Sequence, residues 1–287
     1  METKDLLKKV RKIEIKTKGL SSQVFSGEYH SAFKGRGMTF AEVREYVHGD
    51  EVRTIDWNVT ARFGTPHVKV FQEERELTVM LIVDISKSNL IGSDIQTKKE
   101  LITELCAVIA FSATQNNDKI GALLFTEDTE LFIEPAKGRK HILRIIREVL
   151  EIKPSGKGTN IPEALRHYTN AIKKRSIGFI LSDFEDTNIE QSLKLANQKH
   201  DLIALNIYDK NEKDLPNLGY VPLVDIETGK QQWINTSSKK NRTTYKANFL
   251  KKQGELNTIF KRSGIDFAHL QTDRPYTSSL INLFKNR

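Results

Sequence analysis

Residues Leu77 to Ser88, "LTVMLIVDISKS", give the clearest indication of the fold of this chain. Its first part is apolar at consecutive positions, which is typical of a strand buried on both faces between layers of helices. A carboxylate and two hydroxyls, Asp84, Ser86 and Ser88, follow where that strand should end. Ligand sites of α/β proteins gather beyond the carboxyl ends of parallel strands. The stretch therefore predicts a parallel sheet with a site at its edge.

Similar apolar runs recur along the chain and alternate with helical patterns. Further strands are predicted at 119–126, 129–134, 176–183, 201–208 and 265–270. Helices are predicted at 97–116, 139–152, 161–175 and 189–200, and a long basic helix and a short C-terminal one follow the interruption described below. Alternating strands and helices indicate repeated βα units, so the sequence predicts an α/β fold with a mostly parallel central sheet.

Two regions depart from this alternation. Residues 1–75 contain an initial helix pattern and then glycine-punctuated, charge-dense segments, which predict a small β-containing appendage to a main domain over 76–287. The second region, 209–244, contains "VPLVDIETGKQQWIN", two β-like runs around a turn, and predicts a surface hairpin.

Charged residues are dense in the appendage and have two interpretations. Arginine, tryptophan and acidic side chains there could form a binding surface or an ion-pair lattice that holds the small sheet. The residues concerned are Arg44, Glu45, Asp50, Arg53, Asp56, Trp57 and Arg62.

Composition limits the class of protein. Hydrophobic residues make up 38% and charged residues 29% of the 287 positions, which fits a globular protein with a core. The net charge of +8 comes without an aromatic-interleaved basic motif, so no nucleic-acid partner is expected. The N-terminus lacks an apolar stretch of signal-peptide length and no run is long enough to span a bilayer, so neither export nor membrane insertion is expected. The single cysteine, Cys106, lies in an apolar helical pattern and fits a reducing, cytoplasmic compartment.

Three separate loops could place oxygen donors at one edge of the sheet. Asp84, Ser86 and Ser88 follow the first strand, Thr159 lies in the glycine-containing loop "SGKGTN", and Asp183 ends the strand "GFILSD". Oxygen ligands suit hard cations, and Mg²⁺ takes six of them at about 2.1 Å. The pattern therefore predicts a Mg²⁺ site, with Mn²⁺ or Ca²⁺ as alternatives. Each residue alone could equally cap a helix or form a turn.

The five residues, in this order and on these elements, resemble the metal-ion-dependent adhesion site of von Willebrand factor A domains. Residues 35–62, 68–88 and 121–146 closely resemble the bacterial family called domain of unknown function 58, and the likeness covers nearly the whole chain. Asn89 departs from the family, which commonly has methionine or another apolar residue there, but it is not an expected ligand.

The resemblance implies a three-layer, Rossmann-like A-type fold and a function without catalysis. In such domains the hydroxyls bind the metal directly, one or both acids often act through metal-bound water, and a partner's Glu or Asp completes the shell. The family also implies an adaptor that works beside an AAA-type ATPase of the MoxR group in the assembly or maturation of other proteins.

The enzymatic alternative is a magnesium-dependent phosphohydrolase of the haloacid dehalogenase type. Asp84 would be its nucleophile and Asp183 and Asp186 its metal ligands, but Ser86 stands where such enzymes need a second aspartate as general acid. The loop "SGKGTN" does not match a nucleotide-binding loop, because Lys157 is followed by Gly158 rather than by Ser or Thr. The histidines also lack the spacing of a metal site. No catalytic residue is therefore predicted.

Overall fold

The computed structural model describes Ile13 and residues 39–72, 76–90, 96–156, 158–224, 231–285 and 287. The chain divides into two compact units, one over Phe33–Glu76 and the other containing Leu77–Arg287. The predicted domain boundary between residues 75 and 76 lies next to this division. Apart from Ile13, which is helical, the predicted initial helix lies outside the described residues.

The smaller unit contains a two-stranded antiparallel sheet, as the glycine-punctuated sequence predicts. Its strands are β1 (Thr39–Glu45) and β2 (His67–Gln72). Between them lies a short helix, α1 (Trp57–Phe63), which begins after Asp56, whose carboxylate accepts two backbone N–H groups of its first turn. It ends at Gly64, whose φ of 73° is a left-handed conformation that glycine adopts without strain.

Part of the charged cluster in this unit forms ion pairs. The Arg44 guanidinium makes two hydrogen bonds of 2.7 Å to the Asp50 carboxylate, and Lys69 Nζ lies 3.3 Å from Asp56 Oδ2. These contacts favour the ion-pair interpretation for Arg44, Asp50 and Asp56. Trp57 is 68% exposed, so the binding-surface interpretation stays open for its side chain.

Six strands form the main sheet, and two more form a hairpin, within the described residues. The main strands are β3 (Thr78–Asp84), β4 (Lys119–Phe125), β5 (Thr129–Ala136), β6 (Ile177–Ser182), β7 (Asp201–Tyr208) and β10 (Asp266–Gln271), and the hairpin strands are β8 (Tyr220–Val224) and β9 (Gln231–Asn235). The main sheet has the order β10-β7-β6-β3-β4-β5. Its neighbours are parallel except β4 and β5, which are antiparallel. The predicted mostly parallel α/β sheet is confirmed.

Helices follow the strands in the predicted alternation. They are α2 (Lys98–Gln115), α3 (Arg139–Glu151), α4 (Ile161–Ala171), α5 (Glu190–Lys199), α6 (Lys210–Lys213), α7 (Lys239–Arg262) and α8 (Thr277–Lys285). Helix α2 starts at a capping box, in which the Thr97 hydroxyl accepts the N–H of Glu100 and the Glu100 carboxylate accepts the N–H of Thr97. Pro162 stands in the first turn of α4, where its missing N–H costs no helical hydrogen bond.

Helices cover both faces of the main sheet. On one face Met80 and Ile82 of β3 belong to a core cluster with buried residues of α4, α5 and α7. On the other face α2 contacts β3 and β4, and Phe179 of β6 meets Phe284 of α8 edge to face. Burial on both faces explains the consecutive apolar positions in β3, since neither set of side chains reaches water.

The interruption between β7 and α7 contains the short helix α6 and the predicted hairpin. Strands β8 and β9 pair antiparallel, with Tyr220 opposite Asn235 and Val224 opposite Gln231. The predicted turn between them, residues 225–230, lies outside the described residues. Cys106 is fully buried in α2, as its apolar surroundings predict.

Candidate metal-binding edge

The strand order places β3 at the centre of the site. Strand β4 lies on one side of β3, and the chain later returns to place β6 on the other side. The order of strands reverses at this position, which is where open α/β sheets bind ligands. The side chains that leave the carboxyl ends of β3, β4 and β6 therefore share one edge.

Asp84 ends β3 and is held by hydrogen bonds from both sides. Its Oδ1 accepts the backbone N–H of Ser86 at 2.9 Å, and its Oδ2 accepts the hydroxyl of Ser182 at 2.7 Å. Ser182 ends the neighbouring strand β6, and its Oγ also accepts the N–H of Phe184 at 3.0 Å. Only 1% of Asp84 is exposed, so these bonds fix its orientation.

Electrostatics make the charged form of Asp84 costly. Burial and, after it, the nearby carboxylate of Asp183 raise its pKa to about 6, although hydrogen bonds from Ser182 and Ser86 favour the charged form. Two acidic side chains thus come close enough to repel each other. A cation placed between them would relieve that repulsion.

Ser86 and Ser88 bring two hydroxyls to the same place. The distance between their Oγ atoms is 3.0 Å, and Ser86 is fully buried while Ser88 is half-buried. The spacing by one residue predicts that their side chains point the same way. Their hydroxyls do share a hydrogen bond, but the backbone that brings them together is a short 3-10 helix over Lys87–Leu90 rather than an extended loop.

Asp183 contacts a cation that belongs to the protein. The Nζ of Lys98 lies 2.9 Å from Asp183 Oδ2 and 2.7 Å from Glu212 Oε1. The Lys98 side chain is 1% exposed, and burial alone would lower its pKa, but the charges of Asp183 and Glu212 outweigh burial and hold that pKa above its usual value. Lys98 is therefore a buried, charged ammonium at the edge of the site.

Thr159 lies in a loop that two neighbouring hydrogen bonds attach to the end of β4. Asn160 N donates to the carbonyl of Thr126 at 2.9 Å, and Gly158 N donates to the Glu127 carboxylate at 3.0 Å. Thr126 directly follows Phe125, the residue that pairs with Asp84 in the sheet. The loop is thus held at the edge where Asp84 ends.

The carboxylate of Glu130 fixes the preceding part of this loop. It accepts the N–H and the hydroxyl of Ser155 and the N–H of Gly156, at distances from 2.6 to 3.0 Å. The Ser155 hydroxyl is the main cause that lowers the pKa of Glu130, which keeps this acceptor charged. Gly156 is needed here because a Cβ atom would overlap the side chain of Thr126.

The structure thus brings Asp84, Ser86 and Ser88 together, sets Asp183 close to Asp84, and holds the Thr159 loop at the same edge. Among the described residues no three His, Cys, Asp or Glu side chains are grouped so as to hold a metal ion. A site here would depend on hydroxyl donors beside two acids. Such a donor set suits a hard cation better than a soft one.

Sequence reasoning missed Ser182, Lys98 and Glu130. Ser182 directly precedes Asp183, and its place at the end of a strand beside β3 was the available signal. Lys98 gave no such signal, because its partners Asp183 and Glu212 are 85 and 114 residues away.

Asp186, a metal ligand in the phosphohydrolase alternative, has other partners. Its Oδ2 accepts the N–H of Ile161 at 2.8 Å at the start of α4, and its Oδ1 accepts the N–H of Thr187 at 2.6 Å. Both oxygens are thus engaged by backbone groups.

The fold and this edge define an α/β protein with a mostly parallel sheet and oxygen donors at the switch in strand order. Residues 42–255 match the family described as "Protein of unknown function DUF58", and the chain belongs to that family. Uncharacterized proteins of Mycobacterium bovis and Mycobacterium tuberculosis are each 26% identical over 281 residues, which cover 97% of this chain and 88% of theirs.

Solved structures give weaker likenesses. An aerotolerance-related membrane protein from Bacteroides fragilis is 17% identical, with a TM-score of 0.47 over 74% of this chain and 100% of that chain. The hypothetical protein BatB from Bacteroides thetaiotaomicron is also 17% identical, with a TM-score of 0.45 over 73% and 98%. Among the described residues of this chain, no helix combines the length and apolar character needed to cross a bilayer.

Proposed function

We propose that this chain is a metal-dependent protein-interaction module, with a von Willebrand factor A-type domain whose adhesion site comprises Asp84, Ser86, Ser88, Thr159 and Asp183. The observation that supports it best is the 3.0 Å distance between the hydroxyl oxygens of Ser86 and Ser88, directly after the buried Asp84. Under this proposal the module is an adaptor in the assembly or maturation of other proteins and is not an enzyme.

The distance fits an octahedral ion as well as a hydrogen bond. Ligands at adjacent corners of an octahedron with bonds of about 2.1 Å are separated by about 3.0 Å. Ser86 and Ser88 would hold Mg²⁺, or Mn²⁺ or Ca²⁺, directly, and Thr159 would add a third hydroxyl. The two acids would act through the water that Mg²⁺ usually keeps.

Lys98 affects the net charge with which such an ion would attract a partner. Its ammonium already neutralises part of the charge of Asp183, from which it lies 2.9 Å away. A divalent ion beside Asp84 and neutral hydroxyls would then keep an excess of positive charge. That excess would favour a Glu or Asp side chain from the partner protein.

The MoxR-type ATPase partner belongs to the same proposal and rests on the family resemblance. The cytoplasmic location is also part of it and rests on the single buried cysteine, Cys106, which fits a reducing compartment. What supports an interaction module among the described residues is the position of the oxygen donors, at an edge of the main sheet where loops converge. The client protein is defined here only by its chemistry, a carboxylate that reaches the ion.

Calorimetry with MgCl₂ and MnCl₂ tests the site on the full chain. We expect wild type to bind one ion and both Ser88→Ala and Asp84→Asn to bind it at least tenfold more weakly. Ser237→Ala, which removes an exposed hydroxyl at the start of the α7 region, is the matched control and should bind as wild type does. Equal affinity in all four proteins would contradict the site.

Affinity capture from lysate tests the partner. We expect an AAA-type ATPase to be retained in Mg²⁺ and lost with a chelator or with Ser88→Ala. An ATPase retained under all conditions would place the interface elsewhere. Release of phosphate from para-nitrophenyl phosphate, abolished by Asp84→Asn, would instead favour the phosphohydrolase alternative.

A further inference from the structure

A cleft of about 300 Å³ opens between the loop after β6 and the helix α7. Asp183, Phe184 and Glu185 line it from the loop, and Phe249 and Leu256 line it from α7. Its volume is at the lower end of the range for ligand pockets. Asp183 lines the cleft and also belongs to the candidate metal-binding edge, so the two features adjoin.

Aromatic side chains give the cleft firm walls. Phe184 is 6% exposed and meets Phe260 edge to face, with ring centroids 5.0 Å apart. Its backbone has a φ of 53°, which is uncommon for a bulky residue, and the buried ring holds the loop in that conformation. Tyr208 and Phe249 form a second aromatic pair along the cleft, at 5.2 Å.

Carboxylates outnumber cations around these aromatic walls. The acidic lining residues are Asp183, Glu185, Asp186, Glu212 and Glu255, whereas the one lysine or arginine among the described lining residues is Lys252. Lys98 neutralises part of Asp183 and Glu212. Lys252 pairs with Glu185 and Lys251 lies 4.0 Å from Glu255, in both cases through side chains that are more than half exposed, so five carboxylates face three lysines. The cleft stays acidic on a chain whose net charge is +8, so its occupant should be a cation.

We propose that this cleft binds an arginine side chain presented by the partner protein. A guanidinium is flat and weakly hydrated, so it stacks on aromatic rings and bonds carboxylates with two parallel N–H groups. Tyr208 and Phe249 supply the rings, and Glu185 and Glu255 supply the carboxylates. The inference rests on the proposed function in one respect, that the partner at the metal-binding edge is the protein that carries this arginine.

The test uses the full chain and a labelled pentapeptide, Gly-Leu-Arg-Leu-Gly, acetylated and amidated at its ends. Its control has citrulline, a neutral arginine isostere, in the central position, and a second control has lysine. We expect fluorescence anisotropy to show at least tenfold tighter binding of the arginine peptide than of either control. Amide chemical-shift changes should map to residues 184–187, Tyr208 and Phe249.

Variants separate the cleft from other acidic surfaces. Phe249→Ala and the double variant Glu185→Gln with Glu255→Gln should each weaken arginine-peptide binding at least fivefold at a temperature where circular dichroism shows the variant to be fully folded. Glu151→Gln, which removes an exposed carboxylate at the end of α3, should bind as wild type does. Equal binding of the citrulline or lysine peptide, shifts mapping elsewhere, or no effect of the cleft variants would overturn the proposal.

The metal-site proposal and this one can fail separately. A chelator or Ser88→Ala should leave the arginine peptide bound to the cleft. Arginine binding without Mg²⁺ binding would contradict the proposed metal site alone, whereas Mg²⁺ binding without arginine preference would contradict the cleft assignment alone.

Discussion

Lys98 is an ammonium buried in the main domain, and two carboxylates keep it charged there. Breaking a buried ion pair by removing one partner leaves the other charge without compensation and costs about 3–5 kcal/mol. We therefore expect Lys98→Met to lower the free energy of unfolding by about that amount. Urea unfolding at pH 7, followed by circular dichroism, measures the change.

The exposed pair of Lys252 with Glu185 is the matched control. Its side chains are 67% and 60% exposed, so we expect Lys252→Met to change stability by less than about 1 kcal/mol. Adding Asp183→Asn to Lys98→Met should restore part of the lost stability, because the unpaired charge is removed. A loss in Lys98→Met no larger than that in Lys252→Met would contradict the buried pair.

The titration of His200 should make the stability of the protein depend on pH. Burial lowers its pKa to about 4, and the positive charges of Lys199 and Arg175 act in the same direction. An unfolded histidine has a pKa of about 6.5, so the folded state favours the neutral ring. Its contribution is fully present above about pH 6.5 and is lost as the pH falls towards 4, by on the order of 2–3 kcal/mol.

Unfolding of wild type and His200→Gln between pH 4 and 7 tests this expectation. The variant should lose less stability than wild type over that range. The ring is also held by its Nδ1, 3.0 Å from Ser176 Oγ, so the variant should be less stable at pH 7. Parallel pH profiles for the two proteins would contradict the assignment to His200.

At the scale of single residues, the sequence predicts contacts between residues that are close in the chain and misses contacts between residues that are far apart in it. Ser86 and Ser88 were expected on one side as alternate residues of an extended loop, and their hydroxyls do meet, although Ser88 lies in a short 3-10 helix. The role of Lys98 could not be predicted, since a lysine in the first turn of a helix is ordinarily solvated and its partners lie far away in the chain.

Among the elements, the strands were predicted most closely. Strand β7 spans Asp201–Tyr208 as expected, because an apolar run bounded by acidic and polar residues defines both ends. Helix α4 ends at Ala171, before the predicted end at 175, since residues after Ile172 are lysine, lysine and arginine with no apolar side chain to pack. The short helix α6 was not predicted, because it has a single turn and its Glu212 is held by Lys98, which is 114 residues away in the chain.

Replacement of Gly156 and of Gly254 by alanine should change the free energy of unfolding in opposite directions. Gly156→Ala would push against Thr126, so we expect a loss of about 1–3 kcal/mol and weaker Mg²⁺ binding through the displaced Thr159 loop. Gly254 is exposed within α7 with open space around it, and Gly254→Ala should add about 0.5–1 kcal/mol without altering Mg²⁺ affinity. Thermal unfolding and calorimetry check both variants, and a stable Gly156→Ala with normal Mg²⁺ affinity would contradict this role of the loop.

For the whole molecule, the proposed ion site would link ion binding to folding. An ion that binds only the folded chain raises the free energy of unfolding by about 2.7 kcal/mol at one hundred times its dissociation constant. We expect MgCl₂ to raise the melting temperature of wild type, and not that of Asp84→Asn, above the effect of NaCl at equal ionic strength. Equal shifts for both proteins would show that Mg²⁺ acts at another place.

The hydrogen bond from Ser182 to Asp84 joins residues 98 positions apart in the chain. Strand β3 can pair early with β4, but its other side waits until β6 has been synthesised. Pairings so distant in sequence form slowly during folding. A nascent chain released before residue 183 would expose the apolar flank of β3 and lack Asp183. Under the proposed function, ion binding would therefore report that synthesis has passed β6.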